Sequence, residues 1–122
     1  IPTESYSDQP YIVQTDDGAW LCCVTTGPGG EGAEGQHVTT MRSADQGATW
    51  SDPVPVEPGE RRENSYAGML KAPSGRVFIF YNHNTDDVRS VLCHEGVQSF
   101  DRVDSLGHFV FKYSDDHGKS WS

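Results

Sequence analysis

The chain has 122 residues, 34% of them hydrophobic, and a formal net charge of −9 at pH 7; that length and composition allow one domain with its own core and exclude a purely polar, disordered chain. The acidic balance argues against a nucleic acid or an anionic membrane surface as partner. No apolar run approaches the roughly 18 residues that a spanning helix needs, so no membrane partner is expected.

Its 13 Gly, 7 Pro, 3 Trp, 5 Tyr and 5 Phe punctuate short apolar runs, and no amphipathic helical stretch is visible. The class predicted is all-β. Ile1-Pro2 opens the chain without Met or a basic-then-apolar leader, as in an excerpted or trimmed sequence, and a secreted or periplasmic location is expected. Adjacent Cys22 and Cys23 and a single Cys93 form neither a disulfide framework nor a zinc-type pairing, which leaves buried or free thiols.

In chain order, residues 10–14 read as a first strand, closed by the turn Thr15-Asp16-Asp17-Gly18. Residues 20–24 follow as a second strand whose consecutive apolar positions predict cover on both faces. A polar, glycine-rich loop over 26–36 leads to a third strand over 37–42 and then to Ser43-Ala44-Asp45-Gln46-Gly47-Ala48-Thr49-Trp50. Residues 53–56 read as a short outer strand, where an edge tolerates Pro53 and Pro55. The cycle then restarts: residues 65–70 parallel the first strand, Ala72-Pro73-Ser74-Gly75 parallel its turn, and 76–81 form another continuous apolar second strand. Residues 108–113 form its third strand, and Ser114-Asp115-Asp116-His117-Gly118-Lys119-Ser120-Trp121 closes it.

The two closing stretches share Ser-x-Asp-x-Gly-x-(Thr or Ser)-Trp at an offset of 71 positions, whereas Gly18 and Gly75 are offset by 57. The difference of 14 is an insertion within residues 82–107, and long loops on a repeat scaffold are where function concentrates. In each motif the Asp two residues before Gly can accept backbone N–H groups, the Gly allows a positive φ, the hydroxyls can bond across the turn and the Trp can plug the space beside it.

This recurring motif resembles the Asp-box, or BNR repeat, of the sialidase-type β-propeller superfamily. The resemblance implies two consecutive four-stranded antiparallel blades, about 8–57 and about 65–122, the second lacking its last strand. It gives the boxes (Ser43, Asp45, Gly47, Thr49 and Trp50; Ser114, Asp116, Gly118, Ser120 and Trp121) a structural role on the face away from the active site. Because such blades cannot close a propeller alone, further blades are expected from the same chain, from self-assembly or from a partner chain.

The same resemblance places a pocket where the first strands begin and the second strands pass to the third. Its mechanism uses an arginine cluster for a sugar carboxylate, an acid/base Asp and a Glu-activated Tyr nucleophile. The family's Arg-Ile-Pro motif is matched here by Asp8-Gln9-Pro10, with Asp in place of Arg. The candidate catalytic residues are Asp8, Tyr66 and His83. The candidates for binding substrate are His37, Arg61, Arg62, Asn84, Asp86 and Arg89: Arg61-Arg62 is the only adjacent basic pair, and residues 81–89 are the densest polar cluster.

The implied function is part of a sialidase-like glycoside hydrolase acting on extracellular glycans, with an anionic glycan as the ligand if the arginines grip it. The alternatives are a polysaccharide lyase, in which His and Arg neutralise a uronate carboxylate while a Tyr or His removes the C5 proton, and a non-catalytic glycan-binding or assembly module. No cofactor is expected, and no metal, since His-x-His and His-x-x-x-His spacings are absent.

Overall fold

The computed structural model describes residues 4–59, 63–92, 99–100 and 103–122. Arg61 and Arg62, and Cys93, lie outside them. Strands β1 (Tyr6–Gln14), β2 (Trp20–Gly27), β3 (His37–Ser43) and β4 (Val54–Pro55) form one antiparallel sheet in sequence order. Strands β5 (Asn64–Lys71), β6 (Val77–His83) and β9 (His108–Ser114) form a second, three-stranded sheet. Within the insertion, β7 (Val91–Leu92) pairs with β8 (Ser99–Phe100), and a 3-10 turn spans Val103–Ser105. The sequence pattern had predicted a plain loop there. No helix among the described residues is long and apolar enough to cross a membrane.

The all-β reading of two successive antiparallel sheets is what the structure shows. The strands run further than their apolar stretches. β1 begins at Tyr6 because Ser7 and Asp8 continue the ladder opposite Thr26 and Thr25, and the Ser7 and Thr26 hydroxyls lie 3.0 Å apart.

The core is the seam between the sheets. Leu21, Cys23, Val38 and Val56 of the first meet Ala67, Met69, Val77, Ile79 and Tyr81 of the second. Fully burying a side chain such as Leu21 or Ile79 contributes about 1.5–3 kcal/mol. The seam also carries polar links. Asn64 stands in for a strand partner, its side-chain oxygen accepting the Val38 N–H at 2.7 Å. Arg42 donates to the Asp17 carboxylate at 2.6 Å and to the His117 carbonyl across the seam. Lys71 pairs with Asp16, and Lys112 donates to Glu57 at 2.7 Å.

The two second strands, read alike from their sequences, differ in their surroundings. β2 is buried over Leu21–Val24, as predicted, and stays buried through Thr26 and Gly27, which the sequence pattern assigns to the following loop and the ladder with β1 and β3 draws into the sheet, whereas β6 alternates buried and half-buried positions. Phe78 and Phe80 point to the side of the second sheet away from the seam, where they stack on each other and meet Phe111 and, for Phe78, Tyr113 at a tilt.

The two Ser-x-Asp-x-Gly turns share the same four side-chain bonds. In the first, Ser43 donates to Asp45 at 2.8 Å and accepts the Gly47 N–H at 2.7 Å, while Asp45 accepts the Thr49 N–H at 2.8 Å and the Thr49 hydroxyl at 2.6 Å. In the second, Ser114, Asp116, Gly118 and Ser120 make the same four bonds at 2.7, 2.8, 2.9 and 2.6 Å. Gln46 and His117, like the glycines that follow them, take positive φ. The indole of Trp121 crosses the seam and donates to Thr40 at 3.1 Å.

These bonds give the fold an acid limit. Hydrogen bonds from Thr49, and then from Ser43, hold the Asp45 carboxyl at about 2. For Asp116, burial pushes upward, but the Ser120 and Ser114 hydroxyls and nearby N–H groups outweigh it and leave the group at about 2. Both folded values lie below the unfolded carboxylate value, so the stabilisation is complete above about pH 4 and is lost as pH falls toward about 2. The melting temperature should therefore drop between pH 4 and 2, and Asp116→Asn should melt lower at neutral pH with a shallower acid slope. An unchanged slope in a pH series of thermal melts would contradict this wiring.

Candidate functional site

The starts of β1 and β5 carry the same irregularity. Register shifts between Asp8 and Tyr11 in one and between Ser65 and Gly68 in the other, with Gln9 at φ 53° and Tyr66 at φ 56°. These are repeat-equivalent positions, and a bulky residue in the left-handed region marks a backbone held by its surroundings. Each bulge re-aims the side chains at the beginning of its strand.

Asp8 lies opposite Thr25, and Thr25 accepts the Tyr66 N–H at 3.2 Å, so the structure brings Asp8 and Tyr66 to the two sides of one threonine. Tyr6 donates to Asp8 at 3.1 Å. Partial burial, then the Asp8 bond and the nearby Asp8, Glu31 and Tyr66 groups, push the Tyr6 phenol up to about 12. The Tyr66 hydroxyl donates to Asp104 Oδ2 at 3.0 Å, and Ser65 donates to the Asp104 carbonyl. Asp104 is only 3% exposed. Two phenols and the carboxylates of Asp8, Glu31 and Asp104 thus gather where the first strands begin.

Asp104 was missed by sequence reasoning. It lies in the insertion, 38 positions from Tyr66, and the only available signal was its place in the loop already suspected of function.

The other candidates fall into separate groups. His83 is buried beside Glu57, with Nδ1 3.5 Å from the carboxylate, which also takes bonds from Tyr81 and Lys112. Burial, then the Glu57 bond, raises the Tyr81 phenol. His83 and Tyr66 meet different carboxylates, Glu57 and Asp104, and among the described residues His83 Nε2 has no hydrogen-bond partner. Arg89 donates to Glu63 at 3.0 and 3.1 Å and also to Asp87. Burial opposes ionisation of Glu63, but the Gly35 N–H, its own backbone N–H and Arg89 hold its carboxyl below the usual value. Asn84 folds its own loop, accepting the Val88 N–H at 3.0 Å and donating to the Val88 carbonyl at 2.9 Å. Asp86 meets His108 at 3.0 Å, and His37 lies 3.1 Å from the Gly35 carbonyl, opposite Thr26. The polar cluster over 81–89 is thus largely occupied in shaping its loop and fastening it to Glu63. Among the described residues no three His, Cys, Asp or Glu side chains converge as a metal ion would require.

No protein family and no curated protein matches this sequence. Among solved structures the fold is similar to the Hadza microbial sialidase Hz136, with a TM-score of 0.71 and 14% identity over 99% of this chain and 26% of that one. It is also similar to a protein of unknown function from Dyadobacter fermentans DSM 18053, with a TM-score of 0.66 and 14% identity over 96% of this chain and 35% of the other. The chain spans about a quarter to a third of these structures, and at such identity the likeness is one of fold: successive blades of a sialidase-like architecture.

Proposed function

We propose that the chain supplies two blades of a sialidase-like glycoside hydrolase acting on extracellular glycans, with its reacting groups where β1 and β5 begin. The observation that carries this reading is the Tyr66 phenol held 3.0 Å from the buried Asp104 carboxylate. A phenol is a weak nucleophile until a neighbouring base takes its proton, and Asp104 is in position to do so. Tyr66 would then attack the anomeric carbon while Asp8, protonated, delivers its proton to the departing oxygen. Water would release the sugar in the second step, as in retaining enzymes with a tyrosine nucleophile. Arg61 and Arg62, a few positions before Tyr66 in the sequence, are the proposed grip on a sugar carboxylate.

The test is hydrolysis of a fluorogenic sialoside by the protein carrying this chain, with the fold of each variant checked by circular dichroism. Tyr66→Phe and Asp104→Asn should each lower kcat by roughly 10²–10⁴-fold. A fluorinated sialoside that slows the second step should leave its mass on the peptide containing Tyr66. Full turnover by Tyr66→Phe would overturn the assignment. Release of an ultraviolet-absorbing unsaturated uronate from an acidic polysaccharide would replace it with the lyase reading.

A further inference from the structure

The first sheet grips the second at the bulge that starts β5. Between the ladder pairs of Ser65 with Asn82 and of Gly68 with Phe80, Tyr66 and Ala67 face the single residue Tyr81. Both bulged residues are met by β2. The Cys23 thiol lies 3.8 Å from the Ala67 carbonyl, and two positions further along the strand Thr25 Oγ1 accepts the Tyr66 N–H at 3.2 Å. Thr25 is buried, and its own backbone is the ladder partner of Asp8, just before the equivalent bulge of β1. We infer that Thr25 is a positioning residue for the reaction proposed above, on which this inference rests: it sets the Tyr66 nucleophile and the Asp8 acid at their working separation.

The hold acts where the backbone needs one. Tyr66 has φ 56°, a conformation that a bulky residue keeps only where its surroundings favour it over the extended form. Thr25 meets the residue at its N–H, and Asp104 Oδ2 meets it at the phenol oxygen. A side chain pinned at both ends keeps one aim. Without the first pin, Tyr66 relaxes toward negative φ and its phenol is re-aimed.

The bond is to the Tyr66 backbone, so Thr25 handles no proton of the reaction and acts through Tyr66. Because Thr25 also pairs with Asp8 in the ladder, nucleophile and acid are referred to one point of the first sheet. Asp8 is fixed there by the Gln9 N–H at 2.7 Å and the Tyr6 hydroxyl at 3.1 Å. Attack and protonation have to meet on one sugar, and a misplacement of about 1 Å can cost about 10²-fold in rate. A threonine that merely stabilised the seam would affect melting and leave turnover alone.

The test uses the protein carrying this chain and a fluorogenic sialoside. Thr25→Val keeps the side-chain shape but removes the acceptor, so kcat should fall roughly 10–10²-fold while KM changes by less than about threefold. Thr25→Ser restores the oxygen and should keep kcat within about threefold of the parent. Labelling of Tyr66 by a fluorinated sialoside should slow by the same factor as kcat in Thr25→Val. Thr40→Val removes a seam hydroxyl that meets Trp121 and not Tyr66, and should lower the melting temperature with kcat unchanged. Hydrogen exchange at the Tyr66 amide reads the hold without turnover: it should quicken at least about tenfold in Thr25→Val and not in Thr25→Ser. Circular dichroism checks folding, and Thr25→Ala replaces Thr25→Val if the latter is unfolded. Full kcat in Thr25→Val, no rescue by Thr25→Ser, an equal loss in Thr40→Val or unchanged exchange at Tyr66 would each overturn the role of Thr25. A parent that hydrolyses no sialoside overturns the reaction and with it the catalytic use of the hold, and this outcome is told apart because exchange at Tyr66 still answers to Thr25→Val.

Discussion

Replacing Gly107 by alanine should cost about 4 kcal/mol or more, placing it among the most damaging single changes available to this chain. Gly107 has φ +105°, and a β-carbon there would lie 2.5 Å from the Asn84 Cα and 2.7 Å from the His83 carbonyl carbon. Both are backbone atoms, so no side chain can rotate away. The insertion returns to the sheet at this point: the next residue, His108, pairs with His83 to begin β9. A displaced start would push β9 out of register with β6 and disturb Val110 and Lys112 on the seam. The control is Gly18→Ala, where φ is +85° but nothing lies within 4 Å of the added carbon. It should lose only about 1–2 kcal/mol, the cost of a left-handed residue with a β-carbon. Thermal melts should show a drop of at least about 12 °C for Gly107→Ala and a much smaller one for Gly18→Ala. Equal drops would mean that the close approach at Gly107 does not matter.

The second large effect separates the two motif tryptophans, which a sequence reading treats as equivalent. Trp121 packs against the core of the seam and donates to Thr40. Trp50 holds the same place in its own turn but faces an open groove and is 37% exposed. Trp121→Ala should cost about 3 kcal/mol or more, since it opens a cavity between the sheets and removes the indole bond to Thr40, whose hydroxyl keeps its bond to the Val54 carbonyl. Trp50→Ala should cost about half of that or less, because much of its ring already meets solvent. Urea unfolding measures both through the shift in midpoint at constant slope. Equal shifts would show that the seam gains nothing from Trp121 beyond its own turn.

What was legible in the sequence was what is local. The Ser43, Asp45 and Thr49 bonds close within a few residues, so their pattern could be read from spacing alone and found again at Ser114, Asp116 and Ser120. The strands were legible because apolar runs and turn residues alternate along the chain. The partners of the polar candidates were not. Arg89 reads as a free cation in a polar loop, yet its guanidinium is taken by Glu63, 26 positions earlier and only 3% exposed. His83 looked like a site residue because it ends a buried strand. Its neighbour Glu57 lay in a linker that gave no sign of reaching it. Asp8 and Tyr66 were singled out, and the structure sets them around Thr25, but the carboxylate beside Tyr66 came from the insertion, where no repeat gave a register to read. Distance along the chain decided legibility more than residue type did.

The adjacent cysteines on β2 point to opposite sides of the first sheet. Cys22 shares the open groove with Ile12 and Met41, while Cys23 lies in the seam with its thiol against the Ala67 carbonyl. Burial raises both thiols, that of Cys23 to about 12, so neither holds an appreciable thiolate near neutrality. An alkylating reagent thus has to wait for motion, and neighbouring sulfurs wait for different motions. Cys22 becomes reactive when the open side of the sheet loosens, Cys23 only when the two sheets part. A single dipeptide therefore carries separate chemical timers for fraying of the surface and opening of the interior.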